Sequence, residues 1–143
     1  MTRFNQYRAF DMNALVICQD DVFLPIMNRV LSRLGLQTDV TADLDSVRSL
    51  IARKKLDAIV IDWQEIAGFG EVFEQIRNSR LNRDAVQVAI AHDLMDIGQA
   101  FSAGVQFLIH KPASLVQISG CLEAMRGAVL RRTRRGHRES PLN

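Results

Sequence analysis

The chain has 143 residues, 48% of them apolar and 24% charged, with a formal net charge of +2. That is the length of one domain with a core of its own, in the ordinary balance for a globular protein. No apolar run approaches the roughly 20 residues of a membrane span. The N-terminal stretch MTRFNQYRAFDMN lacks the apolar segment of a secretory signal. The two cysteines, Cys18 and Cys121, have no metal-ligand spacing and no oxidising context, so a cytoplasmic protein is expected. The charge is uneven: from Arg131 onward five Arg and one Glu give +4, which leaves −2 for the rest. A mildly acidic body argues against nucleic-acid binding by the domain itself.

Residues 1–12 read as a loose lead-in, 13–130 as the domain, and 131–143 as a mobile basic tail. The apolar run Ala14–Ile17 is the first strand. Asp20 or Asp21 then caps a helix with Phe23, Met27, Val30, Leu31 and Leu34 on one face, and Pro25 is tolerated only near its start. Gly35 closes that helix and Leu36–Val40 forms the second strand. Leu44, Val47, Leu50 and Ile51 make the next helical stripe. Ala58–Ile61 is a third strand of the kind buried on both faces, ending at Asp62 with Trp63 beside it and Gly68 and Gly70 soon after. Val72, Phe73 and Ile76 mark the third helix, and Val86–Ala91 the fourth strand. Leu94, Ile97 and Phe101 make the core stripe of the fourth helix, Gly104 its stop, and Val105–Ile109 the fifth strand. The clearest stripe comes last: Leu115, Ile118, Leu122, Met125 and Val129.

Strict strand–helix alternation implies βαβ units and a doubly wound, five-stranded parallel sheet in an α/β fold. Ligands of such sheets bind at the carboxyl ends of the strands. Asp62, the segment Cys18-Gln19-Asp20-Asp21 and the segment His110-Lys111-Pro112 all fall at that rim. An acid that ends a fully buried strand is thereby displayed for chemistry.

These segments together resemble the CheY-like receiver domain of two-component response regulators, a flavodoxin-like (βα)5 fold, over roughly residues 13–130. The stretch VIDWQEIAGFG is similar to the family's strand-three segment, with Gly70 eight residues after Asp62. AFSAGVQFLIHKP is similar to its strand-five segment, with Gly104 seven residues before Lys111. LPIMNRVLSRLG is similar to its first helix and closing Gly.

The resemblance implies that Asp62 accepts a phosphoryl group from a histidine kinase or phosphotransfer protein, as a positioned nucleophile. It implies that Lys111, before a Pro112 whose peptide bond is usually cis in the family, pairs with that group as a point charge. It also implies a Mg²⁺ site, which requires oxygen ligands. Candidates are Asp62, Asp20, Asp21 and the backbone carbonyl of Gln64. Counting back without gaps from Gly35 puts Cys18 and Gln19 where the family carries an acidic pair, so weak Mg²⁺ binding is expected. The hydroxyl that reports phosphorylation falls on Ala89 and the aromatic reporter on Leu108, with Phe107 one place out of phase. His92 nearby reads as a surface loop residue, and Cys18 as a plain buried cysteine.

The function implied is a phosphorelay receiver, without enzymatic turnover, presenting a downstream protein with the face of helix four, strand five and helix five. The alternatives are a pseudo-receiver that binds its partner without phosphorylation, and a receiver controlling an output domain after Asn143. A homodimer through the last helix is left open. The arginines of LRRTRRGHRESPLN suit a solvated helix end, with an electrostatic contact to a phosphate-bearing or acidic partner as the second reading. Their RxxxR spacing also resembles the opening of a PilZ domain, the rest of whose motif is absent from these residues.

Overall fold

The computed structural model describes residues 12–63 and 69–139, without the side chains at 69–70 and 133–139. Most of the lead-in, Gly68 and Gln64 therefore lie outside the described residues.

Five strands alternate with five helices: β1 (Met12–Ile17), α1 (Phe23–Arg33), β2 (Leu36–Thr41), α2 (Leu44–Arg53), β3 (Ala58–Asp62), α3 (Phe69–Asn78), β4 (Val86–Ala91), α4 (Leu94–Ala103), β5 (Phe107–His110) and α5 (Leu115–Glu139). All strand pairs are parallel, in the order β2-β1-β3-β4-β5. The chain leaves β1 towards β2 on one side and returns to β3 on the other. The crevice at this switch point opens at the carboxyl ends of β1 and β3.

The apolar runs are buried because helices cover both sheet faces. Ala14, Val16, Cys18, Val60, Val88 and Ile90 meet α1 and α5 on one side. Leu15, Ile17, Ile59, Ile61 and Ala89 meet α2, α3 and α4 on the other.

Helix ends are set by side-chain chemistry. The Asp20 carboxylate accepts from Val22 N (2.9 Å) and Phe23 N (3.0 Å), so it caps α1 and leaves Pro25 near the start, where a missing N–H costs least. Asp43 and Asp93 cap α2 and α4 through Ser46 N and Asp96 N. Ser114 and Gln117 form a reciprocal capping box at the start of α5. Asn82, wholly buried, accepts from Leu56 N and donates to Ile51 and Lys54 carbonyls, so it satisfies the buried α2–β3 turn from a distant loop.

Three expectations are corrected. In α4 two residues of the expected stripe face outward: Leu94 is 81% and Phe101 54% exposed, Ile97 is half-buried, and Asp96 and Ala100 are buried. Leu115 is also exposed, because it sits in the first turn of α5, before the helix meets the core at Ile118. β5 begins at Phe107, since Val105 is used to close α4. Gly104 takes a left-handed φ of 99° and its N–H bonds Phe101 O, while Val105 N–H bonds Ala100 O. α5 itself runs on into the basic segment as far as Glu139.

Candidate functional site at the carboxyl ends of β1, β3, β4 and β5

Parallel pairing carries the ends of four strands to one place. β3 delivers Asp62 as its last residue, with no exposure to solvent. The turn after β1 brings Cys18 and Asp20, the residue after β4 is His92, and the residue after β5 is Lys111.

The Lys111 ammonium donates to Asp20 Oδ2 at 2.5 Å and to Asp62 Oδ2 at 3.3 Å, and lies 4.7 Å from the centre of the Phe23 ring. Burial works to lower its pKa, but the contacts with Asp20 and Asp62 outweigh this and hold it above the ordinary lysine value. In turn the Lys111 hydrogen bond, followed by the helix-cap N–H of Phe23, pulls the Asp20 carboxyl down to about 2. The His92 Nε2 is 2.8 Å from Asp62 Oδ1. A carboxylate only accepts, so this ring nitrogen carries the hydrogen. The Cys18 thiol donates to Asp62 Oδ2 at 3.7 Å and accepts from Asp20 N. Burial first, and the Asp62 charge as well, push that thiol up to about 11, so it stays neutral near pH 7.

Asp62, Lys111 and Asp20 are thus brought together, and the Lys111–Pro112 peptide bond is cis. Gly70 is the second residue of α3 and Gly104 closes α4. Asp21 is exposed in the turn before α1. Among the described residues the oxygen donors brought to the site are Asp20 and Asp62; a neutral thiol stands at Cys18, Gln19 is exposed, and the Lys111 ammonium lies between the two carboxylates. Among the described residues no group of three or more His, Cys, Asp and Glu side chains is placed to hold a metal ion. Mg²⁺ requires a hard oxygen cage, towards which the described residues supply two carboxylates.

On β4, Ala89 pairs with Ile61 and faces the α2–α4 side, while Asp62 pairs with Ile90. Leu108 faces the α2–α4 side and Phe107 the α1–α5 side, as their opposite phase requires.

His92 is the residue that sequence reasoning undervalued. Its signal was positional: like Lys111 after β5, it directly follows a buried strand at the rim where the strand ends converge. Trp63 also reaches outward from the site, stacking on Phe73 (centroids 5.3 Å apart) and donating from Nε1 to Gln99 Oε1 on α4 at 3.0 Å.

No family model matches the sequence, and no curated protein does. Solved structures do. The receiver domain of a sensor histidine kinase from Pseudomonas aeruginosa, with magnesium coordinated in its active-site cleft, is 19% identical with a TM-score of 0.70. The match covers 82% of this chain and 98% of that one. A response regulator from Burkholderia pseudomallei, with a phosphorylated aspartic acid and calcium, is 23% identical with a TM-score of 0.64, covering 86% of this chain and 73% of that one. An adenylate cyclase structure from Rhodopirellula baltica is 18% identical with a TM-score of 0.70, covering 89% and 96%. At such identities a likeness establishes architecture, and function has to be argued from the site. Strand order, helix placement and these neighbours agree: the chain has the CheY-like receiver fold.

Proposed function

We propose that this chain is a receiver-type signalling module that works by binding a protein partner, without Mg²⁺-dependent phosphorylation and without enzymatic turnover. One observation carries the reading: the Lys111 ammonium bridges Asp20 and Asp62, beside a neutral Cys18 thiol. The ammonium offsets one of the two negative charges, and both oxygens of Asp62 are already hydrogen-bonded. Leaving a buried carboxylate without such partners is costly, so Lys111 holds a place at Asp62 that an incoming cation would have to contest. The partner in this reading is a signalling protein met through the face of α4, β5 and α5.

A second reading is favoured by the meeting of Asp62, at the end of β3, and Lys111, after β5, at 3.3 Å across the rim. It keeps Asp62 as a phosphoacceptor from a histidine kinase or phosphotransfer protein, with Lys111 paired to the transferred group. Trp63, the only tryptophan, adjoins Asp62 and reports on either case. Its fluorescence is followed during a Mg²⁺ titration and then with beryllofluoride, with Asp62→Asn as the control. A flat response from folded protein is the expected result. A saturable change that disappears in Asp62→Asn would replace the first reading with the second.

A further inference from the structure

The first turn of α4 is held by a short polar chain that ends on Asp62. Asp93 Oδ1 accepts from Asp96 N (2.9 Å), and Asp96 Oδ2 accepts from His92 N (2.9 Å). The ring of the same His92 donates to Asp62 Oδ1 (2.8 Å). His92 therefore has one end in the helix cap and the other in the pocket. Apolar packing adds little here: within this turn Leu94 is 81% and Met95 70% exposed, and Asp96 is the buried residue.

We infer that His92 is a positioning residue that ties the first turn of α4 to the Asp62 carboxylate, so that the turn bearing Leu94 and Met95 follows the state of Asp62. A hydrogen bond to a charged carboxylate is roughly twice as strong as one to a neutral group. Any event that removes the charge of Asp62 weakens the ring's anchor, and the backbone N–H held by Asp96 is two bonds from the atom that carries the ring. No hydroxyl on β4 is needed for this coupling. It stands whether or not Asp62 is ever phosphorylated, so it does not depend on the function proposed above.

The test is amide hydrogen exchange on the full chain, read at Asp96 and Ile97 in α4 and at Ile118 in α5. His92→Leu removes the ring donor, and exchange in the α4 turn is expected to accelerate about tenfold with α5 unchanged. Asp62→Asn should accelerate the same amides similarly, and the double variant no more than either single one, because both break one link. His92→Gln, whose amide N–H reaches as far as Nε2, should restore most of the protection, whereas the shorter His92→Asn should not. That last pair decides the matter even if the leucine variant does not fold. Unchanged α4 exchange in folded His92→Leu, additive effects of the two single changes, equal acceleration in α5, or no difference between Gln and Asn would each overturn the inference.

Discussion

α4 and α5 pack on β4 from opposite faces of the sheet, and they are held by different forces. α5 places Ile118, Leu122, Met125 and Val129 beneath it, all at 2% exposure or less. Burying such a side chain contributes about 1.5–3 kcal/mol each, so α5 is fixed by the hydrophobic effect. α4 buries only Ala100 and Asp96 and turns Leu94, Met95 and Phe101 outward. Its position rests on directional contacts: the Asp93 cap, the Asp96–His92 bond and the Trp63–Gln99 bond. A helix anchored by apolar area ignores a change of charge a few ångströms away. A helix anchored by hydrogen bonds responds to it.

The contrast can be broken most directly with Leu122→Ala. Truncating this buried side chain should cost about 2–5 kcal/mol in denaturant unfolding. Next in size is Asp20→Ala, which removes the α1 cap and a partner of Lys111, at about 1–2 kcal/mol. Because α1 is also anchored by Phe23, Met27, Val30 and Leu31, the loss should lower global stability without loosening α1 selectively. The same residue gives a pH dependence with a definite sign. The folded Asp20 carboxyl sits at about 2, below its ordinary 3.8, so its contribution is complete above about pH 4 and is lost as the pH falls towards 2. Acid titration of stability in Asp20→Asn should therefore converge on the unmodified chain in that window. Asp93→Ala follows at about 1 kcal/mol, concentrated in α4 and read by exchange there. Smallest is Leu94→Ala, expected within about 0.5 kcal/mol because the side chain is already in water. A Leu94→Ala cost rivalling that of Leu122→Ala would mean that α4 is anchored by area after all.

Where packing follows local pattern, the sequence was readable. Val60 and Ile61 could only belong to a strand covered on both faces, and Ile118, Leu122, Met125 and Val129 lie on one side of any helix they form. The order of all ten elements followed from such runs, as did the rim where Asp62 and Lys111 meet. Misreadings fell where a single hydrogen bond overrides the apolar pattern. The inward turn of α4 depends on Asp96 being satisfied by His92, which no periodicity encodes. Val105 left its strand to bond Ala100, a matter of helix closure at Gly104. Asn82 was passed over because its three partners come from a segment some 30 residues earlier.

The two thiols together supply a built-in clock for the pocket. Cys18 is buried in the pocket and Cys121 is half-buried on α5, and both are raised to about 11 by burial. Neither reacts readily while folded, since the thiolate is the nucleophile. The rate at which a small disulfide reagent consumes the buried Cys18 therefore follows how often its surroundings open, and so times the breathing of the Asp62 pocket, while the half-buried Cys121 supplies an internal reference for a thiol of similar acidity that the reagent can reach.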